Sequence, residues 1–250
     1  MKILLANGCS HTAGVDIDPN KLHRCPELTW PRWVSDHYGY QYVNIAMGGA
    51  GNEQISRSTI VAIGNMIELE KKDPKDIVVA ICWSGFNRYE YWHAEDQKHK
   101  SFSLNIAKSP YTPEEIYLKY IQARSMVETE DYANYKNLYY MHTLAKVLES
   151  YGVEYYFANC LQTFTQPRDF KGSNNLRSEY YNLLELYGNK IPKHLAFFEK
   201  EKTFFEHLQG TPKSPHGLGM HWGEEGQKKY AELFIKHIET HGGLAHLGEH

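Results

Sequence analysis

The chain alternates short apolar runs with longer stretches whose apolar residues recur at helical spacing. Runs of β-strand character lie at 2–7, 40–46, 76–83 and 153–160. The first and third runs are continuously apolar, as expected for parallel strands that are buried on both faces. Helical periodicity follows at 52–72 and 132–151, and an amphipathic helix that opens with acidic residues precedes Gly242. This alternation predicts an α/β layer sandwich around a parallel sheet.

Two regions interrupt the alternation, at about 86–130 and 161–215. The second contains helical patterns at 176–188 and 194–208. Both regions leave the predicted sheet at the carboxyl ends of its strands, where ligands bind in open sheets of this kind, so we expect them to cap that edge. A length of 250 residues suits one large domain and is short for two, which predicts a single domain over 1–250.

Charge and composition exclude several partners. A net charge of −3 gives no electrostatic case for nucleic acid or an anionic membrane. No apolar stretch approaches membrane-spanning length, and the N-terminal run is too short for a signal peptide, so we expect a cytoplasmic protein. The four cysteines lack metal-binding spacing, and Asp16 and Asp18 lack the other ligands of a calcium loop. We therefore assign no metal and no cofactor, and the sequence assigns no oligomeric state.

The turn after the first run, "NGCSHTAG", carries Ser10 at its tip. A turn of small residues between a strand and a helix exposes a hydroxyl, and its backbone N–H groups can face a developing oxyanion. The alternative is that Ser10 or Thr12 only caps the following helix. Cys9, activated by a helix N-terminus, is a second candidate nucleophile. Near the other end of the chain, His221 directly precedes the final amphipathic helix.

In these segments the chain resembles the SGNH (GDSL-type) hydrolases, in order from the first strand to the last helix. The first motif, Gly-Asp-Ser in that family, reads "GCSHT" here; the second reads "YVNIAMGGAGNEQI", and the last reads "HWGEEG". The resemblance implies a three-layer, flavodoxin-like α/β/α sandwich with a mostly parallel sheet. It also implies hydrolysis of esters, including acetyl groups on polysaccharides. The "GCS" and "GGAGN" variants are similar to phage-encoded members, which implies host cytoplasm or virion as the location.

The resemblance implies that Ser10, and not Cys9, is the nucleophile and that His221 is the general base. It also assigns the oxyanion donors. They are the N–H groups of Ser10 and Gly49, with Gly51 as the alternative in the same glycine-rich turn. The third donor in the family is an asparagine beyond the third strand. In "WSGFNR" this position falls on Asn87 by motif spacing, whereas counting from the strand favours Ser84 as a hydroxyl donor.

The last motif departs from the family. An aspartate usually stands two or three residues before the histidine, and these positions are Gly219 and Leu218 here. Three arrangements stay open: a Ser-His dyad oriented by a backbone carbonyl, a carboxylate from elsewhere in the chain, or an inactive descendant. In a serine protease, loss of this aspartate costs about 10⁴ in rate.

Two further side chains are predicted to bind substrate. His11 follows the serine and either touches the substrate or faces the solvent, and Arg88 is either a substrate-facing cation or a salt-bridged surface residue. The aromatic segment "FNRYEYWHAEDQ" favours a polar or sugar-like ester over a long acyl chain. The leading hypothesis is a serine esterase that hydrolyses a small-molecule or carbohydrate ester through an acyl-enzyme. The alternative is a weak or inactive binding protein of the same fold, associated with a phage.

Overall fold

A computed structural model of the chain describes residues 1–18, 24–86, 88–93, 97–103, 119, 123, 130–161, 197–213 and 221–241. Five of its strands are β1 (Ile3–Gly8), β2 (Gln41–Asn44), β3 (Ile77–Trp83), β6 (Glu154–Asn159) and β7 (Phe197–Thr203). They form one parallel sheet in the order β2-β1-β3-β6-β7. Strands β4 (Arg88–His93) and β5 (Lys98–Ser103) form a separate antiparallel hairpin. The strand order reverses at β1, so ligands are expected beyond the carboxyl ends of β1 and β3.

Helices cover both faces of the sheet. They are α1 (Ser10–Ala13), α2 (Trp30–Tyr38), α3 (Asn52–Gly64), α4 (Glu130–Tyr151), α5 (Phe204–His207) and α6 (Glu224–His241). Helix α3 continues into a π-helical turn at Asn65–Leu69. Helix α2 packs with α6 on one face, and α3 packs with α4 on the other. The predicted three-layer α/β/α sandwich is confirmed.

The central strand β3 shows why both faces need a helical layer. All seven of its residues are buried, and successive side chains point to opposite faces. Ile77, Val79 and Ile81 join the core with α3 and α4, whereas Val78, Ala80 and Cys82 join the core with α2 and α6. A strand that is apolar on both faces therefore specifies a central position in the sandwich.

One predicted helix is wrong. The pattern at 194–208 indicates a helix, but the structure has strand β7 followed by the single turn α5. Pairing with β6 satisfies the backbone of this segment at the edge of the sheet, and such tertiary pairing overrides a weak local preference. Thr203 and Glu206 then form a reciprocal capping box that starts α5. The helix predicted at 176–188 lies outside the described residues.

The two interrupting regions are described in part. Within 86–130 the structure shows the β4–β5 hairpin, and within 161–215 it shows β7 and α5. Most other residues of these regions lie outside the described ranges, and their capping role stays a prediction. None of the helices in the described part of the chain has the length and apolar character needed to cross a membrane.

Candidate active site

Ser10 is the first residue of the short helix α1, directly beyond the carboxyl end of β1. The amides of Thr12 and Ala13 donate to the carbonyl of Cys9, which closes the turn. Cys9 is the N-cap residue, and no side chain caps this helix. The capping alternative for Ser10 and Thr12 is therefore wrong, and the Ser10 hydroxyl is available for another partner.

Side chains from both ends of the fold hold the α1 turn in place. Asn44, the last residue of β2, donates to the carbonyl of Thr12 at 2.8 Å and accepts from the Ala46 amide. Gln227 in α6 donates to the carbonyl of His11 at 3.2 Å. These contacts tie the serine-bearing turn to the second motif and to the final helix.

The structure brings Ser10 and His221 into hydrogen-bond contact. The Ser10 Oγ lies 2.9 Å from His221 Nε2, across a separation of 211 residues in sequence. The other ring nitrogen, Nδ1, lies 2.7 Å from a carboxylate oxygen of Asp16. When Nδ1 carries the proton and donates it to Asp16, Nε2 is left free to accept the serine proton. Of the three arrangements left open by the sequence, the geometry matches a carboxylate from elsewhere in the chain.

Two residues in the left-handed conformation, Gly14 and Asp16, reverse the chain so that the Asp16 side chain returns to Ser10 and His221. Gly14 has a φ of +79° and Asp16 has a φ of +63°. A Cβ on Gly14 would clash with the carbonyl of Cys25 and lie 2.8 Å from the Thr29 methyl carbon. Aspartate is one of the few non-glycine residues that enter the left-handed region readily. The reversal places a carboxylate six positions after the serine on the far side of the imidazole.

The environment of His221 favours a neutral imidazole. Burial lowers the pKa of His221 below its ordinary value of 6.5, and the positive charges of Arg88 and Lys213 act in the same direction. The hydrogen bond and negative charge of Asp16 oppose this shift. The ring is therefore unprotonated near neutral pH and is stabilised by Asp16 when it takes up a proton.

His11 lies beside the ring of His221 and away from solvent. Only 3% of His11 is exposed, and its ring centroid is 4.6 Å from that of His221. Phe204, Phe205 and Trp222 surround it at centroid distances of 5.2, 5.1 and 6.0 Å. Burial holds the pKa of His11 well below its usual range. The solvent-facing alternative is wrong, and substrate contact by His11 stays a prediction.

The predicted oxyanion donors have different environments. Gly49 is exposed, in a loop whose Met47 amide donates to the carbonyl of Gly8 just before the serine turn. Gly51 is buried, and a Cβ there would lie 2.5 Å from the carbonyl oxygen of Arg88. Among the described residues, no acceptor takes the Ser10 N–H. Gly49 is thus the more accessible of the two glycine donors.

Of the two candidates for the third donor, the structure describes only Ser84. Ser84 is fully buried, and its backbone amide donates to the side chain of Asn52 at 2.7 Å. Its hydroxyl has no hydrogen-bond partner in the described part of the chain. Full burial disfavours Ser84 as a substrate-facing donor. Asn87 lies outside the described residues.

The thiol next to the serine is unsuited to nucleophilic attack. Cys9 is fully buried, and its Sγ lies 3.5 Å from the Sγ of Cys160. This contact and burial raise the pKa of the Cys9 thiol well above its ordinary value. A thiol that stays protonated is a weak nucleophile. Of the two neighbouring residues, Ser10 has the contact with a base.

The third motif contributes a cation and core aromatic residues. Arg88 is partly buried, and its Nη1 has no hydrogen-bond partner among the described residues. This disfavours the salt-bridged surface alternative, and substrate contact by Arg88 stays a prediction. Tyr89 is 1% exposed and carries the Lys136 ammonium 4.4 Å from its ring centroid. Phe86 packs into the core with α3 and α4. These two aromatic residues stabilise the fold, which weakens the inference from the aromatic segment to a sugar.

Comparison with known proteins gives matches in structure only. No protein-family model matches the chain, and no curated protein matches it. The carbohydrate acetylesterase Est24 from Sinorhizobium meliloti is 13% identical, with 96% of this chain and 99% of that chain covered and a TM-score of 0.49. An aryl esterase of M. smegmatis is 11% identical, with coverage of 97% and 100% and a TM-score of 0.49.

A protein from Desulfitobacterium hafniense assigned to the G-D-S-L family of lipolytic proteins is also similar. It is 14% identical, with 95% of this chain and 99% of that chain covered and a TM-score of 0.47. These values are too low to assign a function to this chain. In the described part of the chain, no group of three or more histidine, cysteine, aspartate or glutamate side chains is arranged to hold a metal ion.

Proposed function

We propose that the protein is a serine esterase in which Ser10 is the nucleophile, His221 is the general base and Asp16 orients and stabilises His221. The observation that carries this proposal is the chain of two hydrogen bonds through one imidazole, 2.9 Å to the serine and 2.7 Å to the carboxylate. A serine hydroxyl that is hydrogen-bonded to a histidine, which is in turn hydrogen-bonded to a carboxylate, is the arrangement that activates serine for acyl transfer.

In the first half of the reaction, Ser10 Oγ attacks the ester carbonyl carbon while its proton passes to His221 Nε2. The new C–O bond turns the carbonyl oxygen into an oxyanion, which accepts hydrogen bonds from the N–H groups of Ser10 and Gly49. Asp16 stabilises the positive imidazolium that forms. The tetrahedral intermediate then collapses, and the leaving alcohol takes the proton from His221.

In the second half, water replaces the alcohol. His221 removes a proton from water as the oxygen attacks the acyl-enzyme carbonyl, and the same donors hold the second oxyanion. Collapse releases the carboxylic acid and returns the proton to Ser10 Oγ. We propose a small acyl group, such as acetyl on a carbohydrate or other polar alcohol, as the substrate class. Phage origin, cytoplasmic location and a single domain over 1–250 stay predictions from the sequence.

The test is covalent labelling with a fluorophosphonate, together with p-nitrophenyl acetate turnover. We expect wild type to be labelled and Ser10→Ala to be unlabelled, because the reagent forms its bond with an activated serine Oγ. Ser150→Ala is the matched control, since Ser150 is exposed in α4 and its hydroxyl donates to the Val147 carbonyl of the same helix. His221→Ala tests the base in the turnover assay.

Two outcomes would contradict the proposal. One is a correctly folded wild type that takes no label. The other is an equal background rate for wild type, Ser10→Ala and His221→Ala, which would support the non-catalytic binding protein instead.

A further inference from the structure

Arg88, the first residue of β4, is a partly buried cation that pairs with no carboxylate in the described part of the chain. Its Nη1 is enclosed and has no hydrogen-bond partner within the described ranges. Glu90 lies two positions along the same strand and hence on the same face. However, Arg57 already binds both oxygens of Glu90, at 2.9 and 2.7 Å. An enclosed guanidinium nitrogen with no acceptor is costly, and a bound anion would satisfy it.

Lys213 is a second cation at the same site. It is exposed, and its backbone pairs with that of Trp222, the residue next to His221. Its ammonium lies 5.4 Å from the ring centroid of Trp222 and 5.9 Å from that of Phe205. The two aromatic rings hold a charge beside the base without neutralising it.

The two cations act on the same pair of histidines. The backbone carbonyl of Arg88 lies against Gly51 in the glycine-rich turn, and the Lys213 ammonium lies against Trp222, next to His221. In keeping with these positions, both positive charges lower the pKa of His11 and of His221. The negative charge that acts on His221 is that of Asp16, and this carboxylate already contacts His221 Nδ1. The site is therefore locally positive in a chain whose net charge is −3. A local charge opposite to that of the whole chain indicates a role in binding.

We propose that the esterase site prefers substrates that carry an anionic group, with Arg88 donating a charge-assisted hydrogen bond to that group and Lys213 attracting it at the rim. This inference rests on the proposed esterase function and adds the charge class of the substrate. Acetyl esters of acidic sugars and esters of hydroxy acids are substrates of this class. The Arg88 contact is the more specific of the two, since the guanidinium offers several fixed donors and is partly desolvated.

The test compares two aryl acetates that differ in charge, 3-acetoxybenzoate and 3-acetoxybenzamide, each corrected for spontaneous hydrolysis. We expect wild type to favour the charged ester in kcat/KM by about tenfold or more. Arg88→Gln should lower this ratio about tenfold and Lys213→Gln about threefold, mainly through KM. Arg32→Gln is the matched control, because Arg32 is an exposed α2 residue paired with Asp36. Its ratio should equal that of wild type.

A ratio of one or less in wild type, or the same ratio in both site variants as in wild type, overturns the inference while leaving the esterase proposal intact. A binding measurement separates the two claims. Calorimetry on Ser10→Ala should show the charged ester binding about tenfold tighter than the amide, even if neither ester is turned over. Equal affinities, including no detectable binding of either ester, overturn the charge preference. If wild type turns over neither ester while Ser10→Ala still binds the charged ester more tightly, the result overturns the proposed esterase function and leaves the charge preference intact.

Discussion

Asp16→Asn is the perturbation that most directly tests the site, because it removes a charge and little volume. The Asp16 carboxylate contacts His221 Nδ1 at 2.7 Å. In the transition state the ring becomes an imidazolium, so the negative charge of Asp16 stabilises the transition state more than the ground state. The substitution should therefore lower kcat more than it weakens substrate binding.

The expected magnitude follows from Coulomb's law and the exposure of the pair. Charge centres about 4 Å apart interact by about 4 kcal/mol at an effective dielectric constant of 20. This energy corresponds to about 10³ in rate. The Asp16 side chain is 30% exposed and that of His221 is 14% exposed, so solvent screens part of the interaction. Loss of the correct tautomer adds to the effect, and the expected loss lies between about 10² and 10⁴.

The assay is the kcat/KM for p-nitrophenyl acetate, with circular dichroism to show that each variant is folded. Asp18→Asn is the matched control, since it removes the same charge two positions further along and should stay within about threefold of wild type. A folded Asp16→Asn protein that keeps more than a tenth of wild-type activity would falsify the role assigned to Asp16. So would an equal loss in Asp18→Asn.

Three further results are expected. Because burial lowers the pKa of His221 and only the neutral ring accepts a proton, the acid limb of kcat/KM should be centred below pH 6.5; an acid limb centred above pH 6.5 contradicts this. Gly14→Ala should lower the free energy of unfolding by about 1 to 3 kcal/mol, measured by urea titration, because the left-handed φ strains alanine and its Cβ meets the Cys25 carbonyl. Asn44→Ala should cost about 1 to 3 kcal/mol and lower activity, since it leaves the Thr12 carbonyl without its donor; unchanged stability and activity would show that Asn44 does not brace the turn.

The sequence predicts most of the fold because each layer has its own local pattern of apolar residues. The continuously apolar run at 76–83 identifies the central strand, and β3 spans Ile77–Trp83 in the structure. The periodic stretch at 132–151 corresponds to α4, which spans Glu130–Tyr151. Strand β7 could not be predicted in this way, because its place at the sheet edge depends on pairing with β6 and not on its own apolar pattern.

The residues of the site divide in the same way. Ser10 and His221 can be found from sequence because each stands at a strand or helix boundary. Asp16 could not be assigned from spacing, since its position depends on two left-handed residues after α1, Gly14 and Asp16 itself. The available signal was a glycine followed by an aspartate two positions later, in a segment that runs back along the serine turn. That pattern is common in loops and becomes informative only when His221 is placed beside it.

The distance between Ser10 and His221 is determined by how α6 docks, and not by either loop alone. Gln227 donates to the His11 carbonyl in the serine turn and accepts from the Trp30 amide at the start of α2. The same Trp30 ring packs against Phe234 of α6, at a centroid distance of 4.9 Å. The Ser10–His221 hydrogen bond thus depends on the packed interface between α2 and α6. A histidine held in this way needs only a carboxylate at Nδ1, and the turn that carries the serine supplies one without any contribution from the residues before the histidine.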